Sequence, residues 1–388
     1  MDLSAFFEPV QEPEEMAAGR VPANWGRSIA RHNGRFPDWQ DADIVLVGCR
    51  EERGSTEVKH TGQIAAAVRR QLYALSLPAE NPKVADLGDL KPKERAESYY
   101  ETLAYVCGQL IQANKVVVLL GGGQDLAYAQ FLAYEGLNRD IEYVQVDARF
   151  DMLDSEIVMD DQSYNHRIFL HKPSFLFNFA NLGYQRYLVP QAQYQTLRDM
   201  HFEAVRYGDL YNQIEEAEPY LRMADMLSVD LASVRHAEAP GATAAFPGGF
   251  SAIEMCRIAR YAGMGYRMSS LSVTGFDPLA DPHQQTARLA AMMVWYLAEG
   301  YYNRWDDLPR DDRTNLKQYS VRLHASIASI DFFQHTGTRR WWMEVPYQDS
   351  IGDKKPRTLL VPCSEKDYEF ARTDDIPDRW WQAFNKLK

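Results

Sequence analysis

The chain has 388 residues, 46% of them hydrophobic, 12% aromatic and 25% charged. That balance excludes a mainly disordered chain, and the length fits two to three domains of about 150 residues or one α/β domain of about 250 with additions. Forty-two basic side chains against 54 acidic ones leave a net charge of −12, so no overall attraction to nucleic acid or to anionic membrane surfaces is expected.

Residues 1–40 are polar and rich in Pro, Gly and Arg, and are expected to form an irregular arm. Ile44-Val45-Leu46-Val47 predicts a short, fully buried strand. Helical spacing of Leu103, Val106, Leu110 and Ile111 predicts a helix over 93–113. KVVVLL at 115–120 is a second buried strand, ending in Gly121-Gly122-Gly123, after which Asp125 opens another helix. IEYVQVD at 141–147 is a third strand. Further strands are expected at 204–207, 226–230 and 270–276, and helices at 251–262 and 286–298. Apolar strands alternating with amphipathic helices predict a parallel sheet covered on both faces. Residues 41–300 would form this α/β domain.

Residues 301–388 lie beyond it and hold five of the eight tryptophans: Trp305, Trp341, Trp342, Trp380 and Trp381. Segments 338–347 and 358–364 predict two strands, joined as a hairpin through 348–357. The tryptophans would anchor this extension onto the α/β core, or mark an interface. Four cysteines, Cys49, Cys107, Cys256 and Cys363, show no CxxC spacing and are expected as buried thiols in a reducing compartment. The acidic first fifteen residues lack the pattern of a secretory leader, and no run of about 18 apolar residues occurs. A cytoplasmic location is expected.

Ligand sites of open α/β sheets lie at the carboxyl ends of the strands. There the sequence places Gly121–Asp125 (GGGQD), Asp147–Asp151 (DARFD), Asp230-Leu231-Ala232, and Gly275–Asp281 (GFDPLAD). Asp147, Asp151 and Asp230 form a candidate carboxylate cluster whose repulsion calls for a cation. Spacing of two along an extended segment would turn Asp147, Arg149 and Asp151 to one side. The glycine run lacks the GKS/T ending of a phosphate loop.

The order and spacing of these segments resemble the arginase, agmatinase and formimidoylglutamase family, the ureohydrolases. Its landmarks are GGxH, DAHxD, SxDxD, a PG…GG loop, ExxP…D and TAxLAA. This chain has GGGQD, DARFD, SVDLA (228–232), APG…PGGFS (239–251), GFDPLAD and TARLAA (286–291). Residues 163–166 and 173–187 are similar to the formimidoylglutamase branch. The resemblance spans about 43–300. It implies a three-layer α/β/α arginase-like fold with a mostly parallel sheet, here with an N-terminal arm and a C-terminal extension. It also implies hydrolysis of guanidino or formimino C–N bonds by hydroxide bridging two Mn²⁺ ions, held by two His and four Asp.

The departures fall on that chemistry. By the resemblance, Gln124 and Arg149 stand where metal-binding histidines belong, and Ala232 stands for an aspartate. Gly275 stands for the glutamate that faces the substrate. Only Asp147, Asp151 and Asp230 keep ligand identity. A guanidinium cannot ligate a metal. Arg149 would either fork onto the three aspartates in place of the ions, or swing out to solvent beside a single weak metal. His166 would be the family's proton-shuttling loop histidine or an ordinary surface histidine.

Two functions follow. One is a catalytically silent homologue with a binding, scaffold or regulatory role toward an unknown protein or small molecule, with no cofactor expected. The other is a Mn²⁺-dependent C–N hydrolase with a reduced site. A homo-oligomer is expected by family analogy only.

Overall fold

The computed structural model describes residues 2–10, 24–154, 159–305, 307, 313–323, 329–347 and 357–387. Ten strands share one sheet: Phe7–Glu8 (β1), Ala30–Arg31 (β2), Ile44–Gly48 (β3), Val84–Leu90 (β4), Val116–Leu120 (β5), Ile141–Val146 (β6), Leu176–Tyr184 (β7), Glu203–Arg206 (β8), Met226–Asp230 (β9) and Ser270–Thr274 (β10). The order is β1-β4-β3-β5-β10-β9-β6-β7-β8, with β2 on β4. Every pairing is parallel except that of β1 with β4. The segment read as an irregular arm thus supplies two short strands to the sheet.

Burial on both faces explains the apolar runs. In β5, Val116, Val118 and Leu120 join one core, while Val117 and Leu119 join the other. The first core packs helices Ile64–Leu72, Ala252–Met264 and Gln285–Tyr302. The second packs Ala96–Gln112, Leu126–Leu132, Tyr164–Leu170 and Gln191–Asp199. The result is the three-layer α/β/α arrangement expected from the sequence.

β4, a strand the apolar pattern did not announce, carries a buried Asp86. Arg69 meets it through Nε at 2.8 Å and Nη2 at 2.9 Å, and the Tyr73 hydroxyl donates at 2.7 Å. Paired in this way, a charged residue can sit in a core strand.

The extension forms a second sheet, antiparallel throughout: Leu316–Val321 (β11), Ile330–His335 (β12), Trp341–Tyr347 (β13) and Arg357–Cys363 (β14). The expected hairpin is β13–β14, and residues 348–356 of its connection lie outside the described residues. Helices Glu365–Ala371 and Asp378–Lys386 complete this unit. Trp341, Trp342 and Trp380 are buried, whereas Trp305 and Trp381 are exposed. Arg222, on the core helix Glu218–Arg222, reaches across to the carbonyl of Trp341 at 2.5 Å and stacks over the Trp342 ring at 4.9 Å. All four cysteines are buried free thiols. Among the described residues no helix is long and apolar enough to cross a membrane.

Candidate functional site

Strand order brings sequence-distant residues together. β5, β10, β9 and β6 are neighbours, with Leu120 opposite Val273, Thr274 opposite Asp230, and Val146 opposite Val229. Their carboxyl ends therefore deliver Gln124, Gly275, Asp230 and Asp147 to one place. Gly121 and Gly122, at φ +82° and +77°, turn the chain back after β5 so that Gln124 faces inward. A cavity of about 30 Å³ lies there, lined by Gln124, Asp147, Arg149, Asp151, Asp161, Asp230, Ala232 and Gly275. It has room for one or two waters.

Seven of the eight anticipated positions line this cavity. His166 does not. It sits on helix Tyr164–Leu170 with Nδ1 3.8 Å from the exposed Asp154. The neighbouring Tyr164 and Asn165 take the inward positions instead.

The fork of Arg149 onto the aspartates does not form. Its backbone N–H donates to Asp147 Oδ1 at 2.9 Å, which starts a turn, and Asp151 lies at φ +50°. The extended geometry that would have aligned residues 147, 149 and 151 ends after β6. The Arg149 guanidinium turns outward, one-third exposed, and pairs with Glu57 at 2.5 Å. Burial opposes its charge, but Glu57, then Asp151 and Asp147, hold it firmly protonated.

Neutral amides do what the guanidinium was expected to do. Gln124 Nε2 donates to Asp147 Oδ2 at 2.5 Å and lies 3.1 Å from the Tyr164 hydroxyl. Gln145 Nε2 bridges Asp147 Oδ2 and Asp151 Oδ2, each at 2.9 Å. Asn165 Nδ2 donates to Gln145 Oε1 at 2.7 Å and to the Phe150 carbonyl at 2.8 Å. Asp230 Oδ1 accepts from the Ala232 N–H at 2.7 Å. Gln145 was missed in the sequence. Its one signal was a polar residue inside an apolar strand, two positions before Asp147 and so on the same face.

Burial pushes the Asp147, Asp151 and Asp230 carboxyls up, and repulsion from Asp147 pushes Asp151 and Asp230 further. Asp147 and Asp151 stand close enough that the charge of Asp147 adds to the cost of ionising Asp151.

These residues do not fit a dinuclear manganese centre. Both oxygens of Asp147, and one each of Asp151 and Asp230, already accept N–H donors. Ala232 offers a methyl, Gly275 no side chain, and Gln124 turns its amide N–H₂ into the site. Such donors occupy the lone pairs a cation needs. Among the described residues, no group of three or more His, Cys, Asp or Glu is arranged to hold a metal ion.

An arginase-family model matches residues 42–299, about two-thirds of the chain. The chain belongs to the arginase family. It is 24% identical over 238 residues to the formimidoylglutamase of Staphylococcus epidermidis, covering 59% of this chain and 76% of that protein. With the formimidoylglutamase of Legionella pneumophila it shares 20% over 272 residues, 66% of this chain and 84% of that one. Among solved structures it resembles Trypanosoma cruzi formiminoglutamase with Mn²⁺, at TM-score 0.64 and 20% identity over 69% of this chain and 95% of that one. It also resembles Bacillus subtilis formimidoylglutamase, at TM-score 0.65 and 18% identity over 75% and 99%. The fold is thus that of the family, and its formimidoylglutamase-like character agrees with the motifs at 163–187. The extension beyond residue 299 lies outside the family match.

Beside this family pocket lies Asp125, fully buried. The Tyr100 hydroxyl donates to Oδ2 at 2.6 Å, and Oδ1 has no partner. Burial pushes its carboxyl up to about 7. A carboxyl raised on folding favours the native state most at pH below its unfolded value of about 3.9, and loses that contribution as pH rises to about 7. Asp125→Asn is therefore expected to flatten the fall in urea midpoint between pH 4 and pH 8. An unchanged fall in the variant would show that Asp125 is not its source.

Proposed function

We propose that this arginase-family chain is catalytically silent toward guanidino and formimino compounds and has a binding, scaffold or regulatory role. One observation carries the reading: Asp147 and Asp151 are bridged by the N–H groups of Gln124 and Gln145, and Asp230 accepts from the Ala232 N–H. Metal-assisted hydrolysis needs carboxylates free to hold cations that lower the pKa of a bound water. Here N–H donors already sit on both oxygens of Asp147 and on one oxygen each of Asp151 and Asp230. The pocket lies at the strand ends, lined by Gln124 and four aspartates, with an Arg149–Glu57 pair on its wall.

The retention of Asp147, Asp151 and Asp230 on neighbouring strands is what favours the other reading, a Mn²⁺-dependent C–N hydrolase with a reduced site. An assay separates the two. Full-length protein is incubated with excess Mn²⁺ and with formimidoylglutamate, arginine or agmatine, and glutamate or urea release is followed. No release above the protein-free control is expected. Mn²⁺-dependent turnover that Asp147→Asn abolishes would overturn the proposal and establish the hydrolase.

A further inference from the structure

A second and larger cavity, of about 420 Å³, opens at the opposite end of the sheet. It lies where the amino-terminal ends of β6, β7 and β8 meet β14 and the helix Asp378–Lys386. Its volume falls in the usual range for small-molecule sites, roughly 300–1,000 Å³. It shares no residue with the strand-end pocket, and one wall comes from the extension outside the family match.

The walls are apolar, and the charges set among them are matched within the protein. Phe177, Met223, Leu359, Val361, Pro362 and Leu387 supply the apolar walls. Three cations, Arg267, Arg379 and Lys386, stand against three carboxylates, Asp140, Glu142 and Glu203. Lys386 pairs with Glu203 at 3.9 Å and donates to Asn178 Oδ1, while Asn178 also hydrogen-bonds Glu203. Arg267 holds Asp225 at 2.7 Å and the Asp140 carbonyl at 2.8 Å, and attracts the Glu142 carboxylate. Arg379 holds Asp367 at 2.8 Å and hydrogen-bonds the Tyr220 hydroxyl. The polar part of the lining is therefore a network without net charge, and it needs no charged head group from a ligand.

We propose that this cavity binds an uncharged, largely apolar small molecule, seated between Phe177 and Met223 of the core and Leu359, Val361 and Leu387 of the extension. The apolar walls favour a ligand that removes apolar surface from water. A charged ligand would bring an ion without a counterpart into a lining whose own ions are already paired, and would lose its hydration without replacement. Because the walls come from both units, the ligand also fastens the extension to the core. It should therefore raise the thermal midpoint of the full chain. The site is independent of whether the strand-end pocket is silent or holds a metal.

Isothermal titration of the full chain with 4-phenylbutanol tests this, with 4-phenylbutylammonium and 4-phenylbutanoate as charged bodies of the same length. The alcohol should bind, and each ion should bind more weakly by about tenfold or more, because its charge is desolvated without a partner. Leu359→Trp narrows the cavity without touching a charge and should weaken binding of the alcohol by about tenfold. Ala383→Leu, on the last helix, fills the same space and keeps the test open if Leu359→Trp does not fold. An ion bound as tightly as the alcohol would overturn the proposal. So would unchanged affinity in both variants, or no binding at millimolar alcohol. Binding that fades as protein concentration rises would also overturn it, by showing that a second copy of the chain covers the cavity.

Discussion

Gly275→Ala is expected to destabilise the protein by about 2–6 kcal/mol, although it adds one methyl group to a pocket wall. Two costs add. Gly275 sits at φ +85°, where a side chain costs about 1–3 kcal/mol. A Cβ built on its backbone would also overlap Asp230 Oδ1 and crowd the Leu231 N–H. Asp230 would have to leave its bond to the Ala232 N–H, and forced repacking of this kind typically costs about 1–3 kcal/mol. Chemical denaturation checks it, and a loss below about 0.5 kcal/mol would contradict the strand-end geometry. The same clash bars a simple return to the family pattern. Glutamate at 275 would enter only if the Asp230 carboxylate moved aside and the Leu231 N–H gave way, at a positive φ that side chains rarely adopt.

Arg222→Met is expected to cost about 3–5 kcal/mol, the range for breaking a buried ion pair while leaving one partner behind. The Arg222 side chain is 3% exposed and pairs with Glu218 at 2.5 Å. It also binds the carbonyl of Trp341 and lies over Trp342, so one guanidinium ties the core helix to the second sheet. Burial alone would raise the Glu218 carboxyl, but Arg222 and Arg340 hold it below its ordinary value. Arg340, 2.9 Å from Glu218, remains in the variant and still pairs that carboxylate, which places the loss at the lower end of this range. A urea titration followed by tryptophan fluorescence reads it directly, because Trp341 and Trp342 sit at this junction. A loss under about 1 kcal/mol would mean that the extension is held by its apolar contacts alone.

The α/β core was legible because its strands are short apolar runs buried on both faces. β4 and β7 were not, since Asp86 breaks one run and Asn178 and Asn181 break the other. These polar residues are tolerated through partners far along the chain, such as Arg69, which no local pattern reveals. Half of the second sheet was legible through its tryptophans. β11, with Lys317, Gln318 and Ser320 toward solvent, carried too little apolar signal.

At the site, Asp147, Asp151 and Asp230 were legible from strand-end position, and the structure brings them together. The fate of Arg149 was not, because it depends on Glu57, ninety-two residues away. Nor was the inward turn of Tyr164 and Asn165 in place of His166. That choice is set by the phase of a single helix, where neighbouring residues point about 100° apart.

The central claim is that amide N–H donors have replaced the cations of the family's pocket. The most direct test is the metal content of the full chain after incubation with excess Mn²⁺ and desalting, measured by elemental mass spectrometry. The account predicts manganese no higher than in a protein-free or albumin control. About one or two tightly held ions per chain, lost on Asp147→Asn, would contradict it and return the pocket to metal-dependent hydrolysis.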